Sequence, residues 1–116
     1  MARRVDDRMW ALQRQGRADF VLGASGHEAI QVGSVFALDK DLDWVLPYYR
    51  DMGVALAWGF TPEEIFLGVF AKKDDPMSGG RQLPSHWSDP DSPRSHAARR
   101  PQCLRRLRRR RIHFRG

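Results

Sequence analysis

Apolar positions along the chain fall into short helical stripes separated by strong turn signals. Val5, Met9 and Leu12 recur at i, i+4 and i+7, which predicts an amphipathic helix stopped by Gly16. That helix has no capping residue ahead of it and begins almost at Met1, so sequence upstream of it is expected. Ala18 to Leu22 reads as a short extended piece, followed by the turn Gly23-Ala24-Ser25-Gly26. Ser25 with Glu28 three positions on predicts a capping box, in which hydroxyl and carboxylate each satisfy an orphan N–H, opening a helix over about 26–38. Ala29, Gly33 and Ala37 lie four apart on one face of it, a small-residue row that would let another helix or subunit approach closely. Asp39 to Asp43 form a polar turn and Trp44 to Pro47 a second extended piece. Tyr48-Tyr49-Arg50-Asp51 opens a third helix through Val54, Leu56 and Ala57, which Gly59 ends. The fourth helix has the clearest start: Thr61 as N-cap, Pro62 at the first helical position and Glu64 as capping-box partner. Its apolar side is Ile65 and Val69 with Phe66 and Phe70. From Lys72 to Pro90 periodicity is lost and Gly79, Gly80 and three prolines mark a loop. Four helices are thin support for an independent core.

Charge changes this picture at one point. The 116 residues carry a net charge of +6, yet residues 91–116 hold ten arginines against one acid, or +9, leaving −3 for residues 1–90. The tail is rich in Arg, Pro, Ser and Ala with few aliphatics, and its self-repulsion and low apolar content predict disorder. The division is therefore 1–90 and 91–116. No apolar run approaches the roughly 20 residues of a membrane span, and the N-terminus lacks the apolar core of a secretory signal. The single cysteine, Cys103, excludes an internal disulfide and a multi-cysteine zinc site, which makes a reducing compartment the default.

Candidate chemistry is sparse when the residues are taken alone. His27 lies next to Ser25 and Glu28, but capping accounts for those two and His27 reads as structural. Tyr48-Tyr49-Arg50 at the mouth of a helix suits a phosphate or carboxylate, through an arginine fork and phenolic hydroxyls; the same residues also suit a solvated arginine beside two packing tyrosines. The loop Gly79-Gly80-Arg81-Gln82-Leu83-Pro84-Ser85-His86-Trp87 puts a cation, a hydroxyl and an imidazole on a glycine-rich backbone, a composition common to site-lining and ordinary surface loops.

The order of the pieces discriminates. LQRQGR, SGHEAIQVGSVFAL, DWVLPYYRDMGVALAWGFTPEEIFLGVFA and DDPMSGGRQLPSHW, in that succession, resemble the alpha subunit of the thiamine-diphosphate-dependent 2-oxoacid dehydrogenases, over about Val5 to Pro90. The loop GRQLPSHW is closer to the branched-chain type than to the pyruvate type. The resemblance implies an α/β thiamine-diphosphate-binding fold with a parallel sheet, of which this chain would be a mainly helical fragment with short extended segments. It implies oxidative decarboxylation of a 2-oxo acid, with the acyl group passed to lipoamide. It places Tyr49 and Arg50 at the cofactor diphosphate, Arg50 as a cationic clamp, and His86 with Ser85 near the substrate channel. Partners would be a beta subunit, which supplies the glutamate that activates the cofactor, and a lipoyl acyltransferase component. Glu28 keeps its capping role. The compartment would be cytoplasm, with mitochondrial matrix as the alternative.

Family members continue past this loop with a serine-rich segment and a Gly-Asp-Gly…Asn motif that holds magnesium through oxygen ligands, and neither follows Pro90 here. The expectation is an N-terminal fragment, inactive alone, with a tail out of frame and no metal ligand of its own. Two other readings compete. The arginine tail could bind nucleic acid through phosphates, although it lacks aromatic interleaving and groove-reading motifs, so no specific nucleic acid is expected. Alternatively, a small non-catalytic partner could dock on a dehydrogenase beta subunit through the row Ala29, Gly33, Ala37.

Overall fold

The computed structural model describes residues 1–40 and 42–87; the expected disorder of 91–116 lies outside them. Four helices follow in chain order: α1 Ala2–Arg14, α2 Glu28–Phe36, α3 Met52–Trp58 and α4 Pro62–Val69. The described residues contain no strand, and no helix among them is long and apolar enough to cross a membrane.

α1 buries the predicted stripe of Val5, Met9 and Leu12, and with it Ala2 and Asp6. It stops at Gly16 (φ 69°). The Gly16 N–H donates to Gln13 O and the Arg17 N–H to Leu12 O, both at 2.9 Å. This pair of bonds is a Schellman termination, and the left-handed backbone it demands is open to glycine without a Cβ penalty. The chain then lays Ala18, Val21 and Ala24 against α1, where they join Val5, Met9, Leu12, Met52, Ile65 and Val69 in one apolar core. Leu56, Phe66, Phe70 and Trp87 close over its edge.

α4 starts as its sequence requires. Glu64 N–H donates to Thr61 Oγ1 at 3.2 Å, Thr61 N–H donates to Glu64 Oε2 at 2.7 Å, and Pro62 occupies the first turn. Its C-terminus repeats the α1 termination with alanine in glycine's place. Ala71 (φ 48°) donates to Gly68 O at 3.1 Å and Lys72 to Leu67 O at 2.9 Å.

The Ser25–Glu28 capping box does not form. Ser25 Oγ donates to Asp6 Oδ2, and Asp6 Oδ1 accepts the Ala24 N–H at 3.0 Å, so a buried carboxylate of α1 holds this turn. Glu28 instead accepts the Gly26 N–H at 2.9 Å and pairs with Arg3. α2 accordingly begins at Glu28 with His27 as a residue that makes no side-chain cap. The small-residue row is not covered by the described residues either. Ala29, Gly33 and Ala37 are exposed, while Gln31 and Val35 are the residues α2 buries.

The segments 18–22 and 44–47 carry no strand. Exposure nevertheless alternates along 42–48: Leu42, Trp44, Leu46 and Tyr48 face outward, with Asp43, Val45 and Pro47 half-buried between them. That period of two is the signature of an extended chain with two unlike faces.

Candidate functional site

The site is built on a turn at Tyr48–Asp51, tied to the rest of the chain from several sides. Asp51 closes it: Tyr48 N–H donates to Asp51 Oδ2 at 2.8 Å and Asp51 N–H donates to Tyr48 O at 2.9 Å. This exchange keeps residues 48–51 out of the helix, and α3 starts only at Met52. From α2, the Gln31 amide donates to Arg50 O at 2.9 Å and to Asp51 Oδ1 at 3.1 Å, while its oxygen accepts the Gly53 N–H at 3.0 Å. α2 and α3 meet here so closely that a Cβ on Gly53 would lie 2.6 Å from Gln31 Oε1. Only glycine leaves room for the amide.

Arg50 points back across this junction. Its Nη1 donates to Gly23 O at 2.9 Å, and its guanidinium carbon lies 5.3 Å from the centre of the Tyr49 ring. The rings of Tyr48 and Tyr49 are 3.8 Å apart and tilted by 42°. Interaction with the adjacent Tyr48 phenol lowers the pKa of Tyr49, with further lowering from the Arg50 guanidinium beside it. The same pairing raises the pKa of Tyr48. A cationic fork and an acidified phenol are thus presented side by side, the donor types that a phosphate or diphosphate accepts from.

The second part is the loop after α4. The Asp75 carboxylate, buried, gathers the backbone around itself. It accepts from Met77 N at 3.1 Å, Ser78 N at 3.0 Å, Ser78 Oγ at 2.8 Å and Gly80 N at 3.1 Å. Ser78 carries the order onward, its Oγ accepting from Arg81 N at 3.0 Å and Gln82 N at 3.2 Å. Ser85 is buried with a left-handed backbone (φ 67°), and His86 beside it is exposed, so their side chains have opposite environments. His86 Nδ1 lies 2.9 Å from Leu83 O and 3.3 Å from Pro84 O. Carbonyl oxygens only accept, so Nδ1 carries the proton and the neutral ring keeps its lone pair on Nε2. Gln82 Nε2 donates to His86 O at 3.2 Å.

The two parts touch. Trp87 Nε1 donates to Tyr48 O at 3.0 Å, which brings the loop of Ser85 and His86 to the turn of Tyr49 and Arg50. Gln31, Asp75 and Asp6 escape a reading of the sequence, because a buried polar residue leaves no mark in apolar periodicity. Only the glycines opposite Gln31 and after Asp75 hint at close backbone approach. Glu28 lies away from this site on the α1–α2 surface, where Arg3 and the Gly26 N–H pull its pKa down to about 2. Among the described residues, no group of three His, Cys, Asp or Glu side chains could hold a metal ion.

The family model described as the dehydrogenase E1 component matches residues 1–93, and the chain belongs to that family. Within it, the chain is similar to alpha subunits of 2-oxoacid dehydrogenases. It is 55% identical over 87 residues to the 2-oxoisovalerate dehydrogenase subunit alpha of Bacillus subtilis, covering 75% of this chain and 26% of that protein. It is 46% identical over 83 residues to the mitochondrial 2-oxoisovalerate dehydrogenase subunit alpha 1 of Arabidopsis thaliana, covering 72% of this chain and 17% of that protein. Over 63 residues it is 42% identical to the pyruvate dehydrogenase E1 component subunit alpha of Staphylococcus aureus strain Mu50, 54% of this chain and 17% of that protein. The chain thus spans about a quarter or less of the length of these curated relatives. No solved structure matches it.

Proposed function

We propose that this chain supplies part of the cofactor and substrate site of a 2-oxoacid dehydrogenase alpha subunit, acting on a branched-chain 2-oxo acid, with pyruvate the alternative. The observation that carries the reading is the Arg50–Tyr49 pair, anchored through Gly23 and Gln31 and joined by Trp87 to the His86 loop. Greater similarity to the 2-oxoisovalerate enzyme than to the pyruvate enzyme favours the branched-chain substrate.

Thiamine diphosphate, when bound, supplies the carbon nucleophile and electron sink that decarboxylation requires. The donor set fits its diphosphate: Arg50 offers a planar fork whose position is fixed by the Gly23 carbonyl, and Tyr49 a phenol beside it. Fixing the fork in advance lowers the ordering cost of binding. Magnesium is different. It needs a shell of oxygen ligands, the described residues gather no such cluster, and no residue here is assigned to it. His86 acts at the substrate through Nε2, its ring held in one tautomer by the Leu83 and Pro84 carbonyls. Ser85 sets the path of the backbone that presents it.

In the whole subunit the four helices would pack in an α/β thiamine-diphosphate-binding fold. The outward apolar row of 42–48 and the exposed α2 face, with Ile30 75% and Phe36 84% exposed, would be covered there by further chain and by the beta subunit. Acyl transfer goes to a lipoyl acyltransferase component, and the higher identity to the bacterial relative than to the mitochondrial one favours cytoplasm. The experiment is a hybrid alpha subunit in which residues 1–87 replace the matching stretch of the Bacillus subtilis relative, co-expressed with its beta subunit. Decarboxylation of 2-oxoisovalerate, read by reduction of a dye acceptor, is the expected result. A hybrid that assembles and binds thiamine diphosphate yet turns over neither 2-oxoisovalerate nor pyruvate would refute the proposal.

A further inference from the structure

Trp87 occupies the junction between the two halves of the site. Its indole N–H donates to Tyr48 O at 3.0 Å, and its ring meets Phe60 edge-on at 6.1 Å while packing against the apolar core. The Tyr48 carbonyl is already the acceptor for Asp51 N–H at 2.9 Å, so the indole takes the second of its two lone pairs. The Tyr48 N–H is engaged by Asp51 as well. The peptide that Trp87 grips is therefore the closing peptide of the turn that aims Tyr49 and Arg50. At its other end Trp87 is the chain neighbour of His86, whose carbonyl is held by Gln82.

We propose that Trp87 is a positioning residue that couples the His86 loop to the Tyr49–Arg50 turn, its indole N–H fixing the orientation of the Tyr48 peptide. A ring with only two side-chain torsions, pinned by Phe60 and the core, is a stiff strut. Movement of the loop reaches the turn through it, and a cation and phenols set by the turn are held in register with the imidazole. The catalytic meaning of this coupling rests on the reading of Arg50 and His86 given above; the coupling itself is a property of this chain alone.

The two tyrosines of the chain are Tyr48 and Tyr49, so a phenol titration reports on this turn and nothing else. The test follows the labelled Tyr Cζ resonances of the full chain against pH, in the parent and in Trp87→Phe. Phe keeps the edge contact with Phe60 and removes only the donor. In the parent, the phenols titrate in two steps on either side of the ordinary value of about 10, Tyr49 below and Tyr48 above. In Trp87→Phe the proposal predicts that the gap between the steps shrinks by at least half while helical circular dichroism is retained. A gap equal to the parent's in the folded variant would overturn it. If the Phe variant does not fold, benzothienylalanine at position 87, which exchanges the N–H for sulfur in the same ring shape, gives the same two outcomes. No cofactor, substrate or partner enters the measurement. Its failure leaves the enzymatic reading standing, and an inactive hybrid subunit leaves the coupling standing.

Discussion

Asp6 sits beside Asp7 on a charged helix and looks, from its neighbours, like a solvated residue. It is 1% exposed and holds the Ala24–Ser25 turn through a backbone N–H and a hydroxyl. Removing the buried acceptor strands the buried Ala24 N–H, which costs about 1–3 kcal/mol. Asp6→Ala should lower the stability read from a urea midpoint by that amount; a shift under about 0.5 kcal/mol would show that the turn is held by packing. Glu28 gives a pH dependence. Its folded pKa, about 2, lies below the ordinary carboxylate value because of Arg3 and the Gly26 N–H. Its contribution is therefore complete above the ordinary value of about 4.3 and is lost as pH falls through about 2. Acid titration of parent and Glu28→Gln by circular dichroism should show the parent losing more helix across this window, with the difference shrinking in high salt because the pair is solvent-facing. Neither residue's role was readable in advance. Asp6 finds its partners 18 and 19 positions away, and once it takes the Ser25 hydroxyl the local capping box has lost its first member.

Helix ends show what local sequence does reveal. Thr61-Pro62-Glu64 and Gly16 act as their residue types dictate, because every group in those motifs lies within a few positions along the chain. α3 starts at Met52 rather than at Tyr48 because Asp51 takes the Tyr48 N–H and Gln31, a tertiary partner, takes the Arg50 carbonyl. Ala71 offers a test of the shared C-terminal motif. It pays the left-handed cost that glycine avoids, so Ala71→Gly should raise stability by up to about 1 kcal/mol and Gly16→Ala lower it by about 1 kcal/mol. Urea midpoints of the two variants check this, and equal signs would contradict the termination described. Gly53 is where two elements compete for one volume. Gly53→Ala presses a methyl onto Gln31, which should cost about 1–3 kcal/mol and reduce hydrogen-exchange protection of α2 and α3 together; protection lost in α3 alone would mean that Gln31 does not join the two helices.

At the scale of the molecule, the family was legible in the sequence and the wiring of the candidate site was not. Tyr49, Arg50, Ser85 and His86 belong to segments whose order resembled a family, and residues 1–93 do match it. The sequence offered no means to see that Gly23, Gln31 and Trp87 hold those segments, since each connects to its partner across 19 to 39 residues. Nor could it show that the α2 row faces solvent here, because small residues at four-residue spacing describe a possible contact and not its partner. The central claim is that the Arg50 fork is set to hold a diphosphate. The direct measurement is activation of the hybrid alpha subunit, assembled with its beta subunit, by increasing thiamine diphosphate, with Arg50→Ala beside the parent. Loss of a charge-assisted contact predicts a rise of roughly 10- to 100-fold in the half-saturating concentration, with 2-oxo acid saturation little changed. An Arg50→Ala hybrid that is activated at the parent's concentration would contradict the account.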